Sequence, residues 1–164
     1  MRMSEHPLLA AFVGKPLVLD SNLLILRWCM QVNPSLIRSF KRLSSFQPVD
    51  AEGLEATLEV FSSVKTTPHV LTEISNLANQ LPEWIKDDWT RNYVHQVKLV
   101  DEIYTPSSEV VSDPIIRLGL TDAALVSLAS SHVILTVDFP LSNYLSSRSL
   151  NGINFTHLRS IWLT

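Results

Sequence analysis

Four acidic residues, Asp20, Glu73, Asp122 and Asp138, each sit at the edge of an apolar segment rather than in a polar loop. Asp20 closes Pro16-Leu17-Val18-Leu19, and Asp138 closes Val133-Ile134-Leu135-Thr136-Val137. Glu73 lies between Val70-Leu71-Thr72 and Ile74, and Asp122 opens Ala123-Ala124-Leu125-Val126. A carboxylate beside core residues is costly unless something compensates its charge. Four in similar settings point to one shared compensator, and a divalent cation is the natural one. Hard cations such as magnesium and manganese take oxygen ligands. Hydrolysis of a phosphodiester needs a nucleophile and charge neutralisation, and such a site supplies both. Without metal the four carboxylates repel one another, and some of their pKa values are expected to rise.

Asp20 is the leading candidate for a central ligand, followed by Asp138 and Asp122. Glu73 has three open roles: direct ligand, ligand through water, or orienter of the attacking water. Asn22 and Thr136 are candidates for holding the Asp20 and Asp138 side chains in position. Asp20→Asn is expected to weaken metal binding while leaving the metal-free fold intact or more stable, because repulsion is relieved.

Each acid also has an ordinary explanation. Asp20 and Asp138 fit turn or helix-cap positions. Glu73 fits a partly solvated helix side, and Asp122 a first-turn acid beside the helix dipole. Their joint arrangement, rather than any one of them, carries the metal-site reading.

The elements that must position these acids alternate between strand and helix. The run 17–19 suits a strand buried on both faces. Asp20-Ser21-Asn22 follows as a turn or cap, then a helix over 23–32 that Asn33-Pro34 ends. Further helices are expected over 34–43 and 50–61, with a short strand at 63–66. Thr67 caps the next helix, with Pro68 in its first turn. Val70, Leu71, Ile74, Leu77 and Ala78 form that helix's apolar stripe. A helix over 83–100 carries Trp84, Trp89 and Tyr93, an aromatic set that suits core packing or a protein interface better than base stacking. The stretch 101–118, with Pro106 and Pro114, reads as loop holding one or two short pieces of structure. Thr121 is expected to cap a helix over 122–130. A strand at 133–137, a helical or turn segment at 139–147 and a last strand at 153–155 complete the chain.

This alternation predicts an α/β fold with a parallel sheet. In such a sheet, right-handed crossovers bring all strand carboxyl ends to one edge, where ligands bind at the reversal of strand order. Asp20 and Asp138 then share that edge. Glu73, about two turns into its helix, joins them if that helix leans over.

Composition narrows the function classes. At 164 residues the chain suits a single domain over 1–164, with extra helical material around 33–62. The hydrophobic fraction of 46% and charged fraction of 18% suit a compact core. A formal net charge of −3 provides no global basic field, which argues against a pure nucleic-acid-binding module but not against a nuclease. Cys29 is the only cysteine, so an internal disulfide and a cysteine-rich zinc site are excluded, and a reducing, cytoplasmic setting is expected. The apolar stretch 17–26 is interrupted by Asp20, Ser21 and Asn22, so no membrane span is expected there. The five histidines lack zinc-ligand spacing, and no serine sits in a recognisable nucleophile motif. His69 reads as a surface or first-turn histidine. Arg38, Lys41 and Arg42 are candidates for phosphate contacts, or simply a solvated helix face.

The chain resembles the PIN-domain ribonucleases, a group that includes the toxin halves of many bacterial toxin–antitoxin pairs. The resemblance lies in Val18-Leu19-Asp20-Ser21-Asn22 and in Thr67-Pro68-His69-Val70-Leu71-Thr72-Glu73. It continues through Gly119-Leu120-Thr121-Asp122-Ala123-Ala124, Leu135-Thr136-Val137-Asp138-Phe139 and Ile153-Asn154-Phe155, in family order across nearly the whole chain. It implies a PIN-like three-layer fold with a parallel sheet flanked by helices. It also implies a magnesium or manganese site at Asp20, Glu73, Asp122 and Asp138, and endonucleolytic cleavage of RNA. An antitoxin partner and a homodimer follow from the same resemblance. The stretch between Asp20 and Glu73 is longer than in a small toxin of this class. The alternatives are a non-catalytic binding or scaffolding module of the same fold, and a metal-dependent phosphatase or DNA nuclease using the same acids.

Overall fold

The short apolar run at the start of the chain forms the middle of a parallel sheet. A computed structural model describes residues 2–163. In chain order the elements are α1 (Pro7–Ala10), β1 (Pro16–Leu19), α2 (Ser21–Val32), α3 (Leu36–Ser39), a 3-10 turn (Lys41–Leu43) and α4 (Pro48–Leu58). Then come β2 (Ser63–Thr66), α5 (Pro68–Ala78), α6 (Glu83–Leu99), β3 (Asp101–Glu102), α7 (Ser107–Val110) and α8 (Asp113–Ile116). The chain ends with α9 (Leu120–Leu128), β4 (Val133–Thr136), α10 (Phe139–Ser147), β5 (Gly152–Asn154), α11 (Phe155–Leu158) and a 3-10 turn (Arg159–Ile161). The sheet has five strands in the order β3-β2-β1-β4-β5, and every pairing is parallel. The protein is therefore α/β, with an all-parallel sheet flanked by helices, consistent with three layers.

The two central strands explain the sequence pattern. Leu17, Val18 and Leu19 of β1 and Val133, Ile134 and Leu135 of β4 are completely buried. A strand covered on both faces needs apolar residues at every position, not alternation. The register sets Leu17 beside Val133 and Leu19 beside Leu135. Asp20 continues this ladder, donating its N–H to the Leu135 carbonyl at 3.0 Å. α2 leaves β1 immediately and buries Leu23, Leu24, Ile25, Leu26, Trp28 and Cys29. It packs on α4, α5 and α6, so it is apolar on several sides rather than along one stripe. Burial raises the Cys29 thiol to about 12, which leaves it an inert core side chain.

Several expected boundaries move, each for a local reason. The helix expected over 34–43 is broken at Phe40, whose backbone is extended (φ −100°, ψ 114°). That break lets Leu36, Phe40 and Leu43 all reach the core, where each is at most 2% exposed. The helix expected over 50–61 starts earlier, with Pro48 in its first turn and Asp50 closing the cap onto the Gln47 N–H at 2.8 Å. The helix expected over 122–130 begins at Leu120, and its N-cap is Gly119, not Thr121. Gly119 has φ 100° and ψ 160°, a conformation open to glycine almost alone. The stretch 101–118 holds the edge strand β3 and the one-turn helices α7 and α8. The last strand starts at Gly152 and ends at Asn154, which caps α11 through a bond to the Thr156 N–H. Among the described residues, no helix is long and apolar enough to cross a membrane.

A buried carboxylate ties the end of the chain to α4. Asp50 is fully buried and accepts hydrogen bonds from Arg159 Nε at 2.9 Å, Arg159 Nη2, and Trp162 Nε1 at 3.0 Å. Gly53, one turn on, leaves room for the Trp162 ring; a Cβ there would lie 2.5 Å from it. Burial by itself raises the Asp50 carboxyl, but the bonds from Arg159, Gln47 and Trp162 outweigh it and hold the group below its ordinary value. The stabilisation is therefore present above the unfolded carboxyl's pKa of about 4 and is lost as pH falls through the lower folded value. Asp50→Ala leaves Arg159 and Trp162 without their acceptor, and is expected to cost about 3 kcal/mol in urea unfolding at neutral pH, with a smaller difference from wild type in strong acid. An unchanged unfolding midpoint at neutral pH would remove Asp50 as the anchor.

Candidate metal site at the carboxyl edge of the sheet

The strand order reverses between β1 and β4, so the chain leaves these two neighbours in opposite directions. This is where a parallel α/β sheet opens a crevice at its carboxyl edge. Asp20 follows β1 and Asp138 follows β4, and each is the N-cap of the next helix. Asp20 Oδ1 accepts from the Leu23 N–H at 2.8 Å, and Asp138 Oδ1 accepts from the Leu141 N–H at 2.8 Å. The cap takes one oxygen of each carboxylate and leaves the other for further contacts.

The second oxygen of Asp20 is held from the neighbouring strand. Asp20 Oδ2 accepts from the Thr136 hydroxyl at 2.5 Å and from the Val137 N–H at 2.8 Å. The Thr136 oxygen in turn accepts the Asp138 N–H at 2.9 Å. One buried hydroxyl thus joins the Asp20 side chain to the backbone of Asp138. Thr136 bonds the Asp20 carboxylate but only the backbone of Asp138. Asn22 differs: it lines the same pocket, but among the described residues no hydrogen bond joins it to Asp20 or Asp138. As the second residue of α2, it starts beyond the Asp20 cap rather than beneath either carboxylate.

Glu73 and Asp122 arrive on two helices that pack together. Glu73 is the sixth residue of α5, and Asp122 is the third of α9. α5 starts as the sequence predicts, with the Thr67 hydroxyl accepting from the Val70 N–H and Pro68 in the first turn. Because Gly119 takes the cap of α9, Thr121 lies inside the helix and lines the pocket beside Asp122.

All four expected acids line one pocket of about 220 Å³, together with Ser21, Asn22 and the segment 118–121. No lysine, arginine or histidine is among its lining residues. The electrostatic consequence is visible in two carboxyls. Asp20 is raised to about 6, chiefly by burial, which its three hydrogen bonds only partly offset, with a smaller contribution from Asp138. Asp122 is raised to about 7 by burial and then by the charges of Asp138, Asp20 and Glu73. The repulsion expected from the sequence is therefore present, but burial is the larger cause at both residues.

The donor set fits a hard cation. Every polar lining side chain can offer oxygen, and the Ser21 hydroxyl is buried with no hydrogen-bond partner among the described residues. The local sequence marks Ser21 as a turn or cap residue outside any nucleophile motif; its position after a strand-end Asp is the signal for a place in this pocket. Among the described residues, no three His, Cys, Asp or Glu side chains close into a ready-made ligand cage. Magnesium does not need one, since it commonly keeps several waters and takes one or two carboxylates.

The candidate phosphate-binding residues divide. Lys41 and Arg42 line a separate pocket with Asn22, Ser44 and Gln80, so Asn22 borders both the basic and the acidic pockets. Arg38 lines neither, because the break at Phe40 separates its one-turn helix from the Lys41–Leu43 turn. Of the aromatic set, Trp89 is buried and Tyr93 packs on the core, whereas Trp84 is exposed.

These contacts change which acid best reports repulsion. Asp20→Asn would set an amide NH2 or a weakened acceptor against the donors Leu23, Thr136 and Val137, so it should not stabilise the metal-free protein. Asp122 makes no such bonds among the described residues, and Asp122→Asn should. The sign follows from linkage: a carboxyl raised in the folded state binds more protons than the unfolded chain between about pH 4 and 7. Its contribution to metal-free stability therefore falls as pH rises through that window. In EDTA, thermal melts should show Asp122→Asn melting above wild type at pH 8, with the gap closing towards pH 4. A variant that melts no higher at pH 8 would show that Asp122 carries no repulsive load.

No family model matches the chain, and no curated protein or solved structure matches it significantly.

Proposed function

We propose that this protein is a metal-dependent endoribonuclease of the PIN-like kind. The observation that supports this most is the gathering of Asp20, Glu73, Asp122 and Asp138 around one pocket with no basic side chain in its lining, at the reversal of strand order. The sheet order and the positions of the acids after β1, on α5, on α9 and after β4 agree with the resemblance carried by the motifs. A bound magnesium or manganese ion would supply a water of lowered pKa and neutralise charge on the scissile phosphate.

The chain's own residues have separable tasks. Asp20 accepts the most hydrogen bonds of the four acids, from Leu23, Thr136 and Val137, and these orient it as a ligand. Asp138 keeps one oxygen on the Leu141 N–H and can turn the other to the pocket. Asp122 adds charge that a cation relieves. Glu73, on a longer side chain and half-buried, is suited to ligate or to hold the attacking water. Lys41 and Arg42 border the acidic pocket through Asn22 and are suited to hold a neighbouring phosphate. The net charge of −3 is then no obstacle, because the attraction is local. An antitoxin that covers the acidic edge would silence such an enzyme, and a reducing cytoplasm suits its single, buried cysteine.

The test is cleavage of a mixed RNA pool and matched single-stranded DNA, with manganese, magnesium or EDTA. Metal-dependent cleavage of RNA is expected, and Glu73→Gln should lower it by about 100-fold or more while melting as a folded protein. Wild-type cleavage by that variant would remove Glu73 from the chemistry, and cleavage of DNA alone would overturn the substrate. In salt titrations of RNA binding, Lys41→Ala and Arg42→Ala should each flatten the slope of log affinity against log salt by about 0.7. Unchanged slopes would place the phosphate path elsewhere.

A further inference from the structure

A second pocket adjoins the acidic one and has a different chemistry. It measures about 320 Å³ and shares Glu73, Leu120 and Thr121 with the acidic pocket. Its remaining lining is Pro68, His69, Thr72 and Asn76. Apart from the shared Glu73 it carries no acid, and it carries no lysine or arginine. Its volume falls in the range of small-ligand pockets, from about 300 Å³ upward.

A nucleotide has one anionic part and one flat, uncharged part. The cationic pocket of Lys41 and Arg42 suits the first. The Pro68–Leu120 pocket suits the second, because it offers apolar surface and a few neutral polar groups. We propose that it seats the nucleobase next to the scissile phosphate of single-stranded RNA; this rests on the ribonuclease reading. The three pockets then form one track: base, metal-held phosphate, and following phosphate, joined by Glu73 on one side and Asn22 on the other.

Two side chains give this pocket the means to discriminate. Asn76 is exposed on the α5 side of the pocket, and its amide presents a donor and an acceptor side by side. That pair matches the N6 and N7 positions of adenine. His69 Nε2 pairs with the Ser107 hydroxyl at 2.8 Å, while its Nδ1 is buried and has no partner among the described residues. With Nε2 taken by Ser107 and Nδ1 buried, the ring is held in place, and it meets a base through its surface in the pocket lining rather than through a free ring nitrogen. The Ser107 contact comes from α7, in the stretch least readable from sequence, so His69 becomes a positioned group only in the folded protein.

The experiment measures binding without cleavage. Fluorescence anisotropy in EDTA follows labelled heptaribonucleotides UUUXUUU, with X as A, C, G or U, against wild type, Asn76→Ala, His69→Ala and Lys41→Ala. The expected result is tightest binding for X = A, by about five-fold or more. That preference should vanish in Asn76→Ala and shrink in His69→Ala, while Lys41→Ala weakens all four RNAs alike. Asn76 is exposed and makes no side-chain hydrogen bond among the described residues, so its variant tests the pocket even if His69→Ala melts early. A preference for another base that is lost in the same variants keeps the pocket and overturns adenine. Equal binding of all four RNAs, no binding at all, or a preference untouched by Asn76→Ala overturns the pocket. The two readings fail separately: base-selective binding without metal-dependent cleavage sinks the nuclease alone, and cleavage without base-selective binding sinks the pocket alone.

Discussion

The Thr136 hydroxyl donates to Asp20 and accepts from the Asp138 N–H, and this small relay links the carboxyl ends of the two central strands. It works only because β1 and β4 are parallel neighbours in a register that sets Leu19 beside Leu135. A shift of one residue would turn Thr136 to the opposite face and leave the buried Asp20 with only its own Leu23 cap as a donor. The apolar runs that build the strands and the polar contacts that build the site therefore impose the same register. The helices inherit it, since α2 and α10 begin at the two acids themselves.

This arrangement of acids costs stability. Asp20 and Asp122 are both raised towards neutrality, which means that the charged pocket works against the fold when nothing positive is present. The opposing contribution is a core in which most of α2 and both central strands are fully covered. Several contacts fix the elements that carry the acids. Asp20 is pinned by three donors, Gly119 starts α9 in a conformation other residues avoid, and Tyr93 of α6 donates to the Leu71 carbonyl of α5 at 2.8 Å. A second buried carboxylate, Asp50, is treated in the opposite way: it has its own cation in Arg159 and is held ionised. The contrast is one of charge partners: Asp50 has a cationic side chain against it, and the other four acids share a pocket with no lysine, arginine or histidine in its lining.

Local sequence determined much of this. The strands 17–19 and 63–66, the Thr67-Pro68 start of α5, and the identity and edge positions of the four acids follow from residue type and spacing. Caps, prolines and continuous apolar runs act over a few residues, so they are readable without the fold. What tertiary structure alone decided lies where distant residues compete for one place. Phe40 breaks its helix because the core takes its ring, and Gly119 displaces Thr121 as a cap because α9 starts two residues earlier than the apolar pattern marks. Asn22 loses its expected contact, while Thr136 reaches Asp20 across 116 positions of sequence. Asp50 finds Arg159 across 109 positions, and Ser107 finds His69 across 38. Such pairings depend on strand order and helix packing, long-range terms that no local pattern encodes.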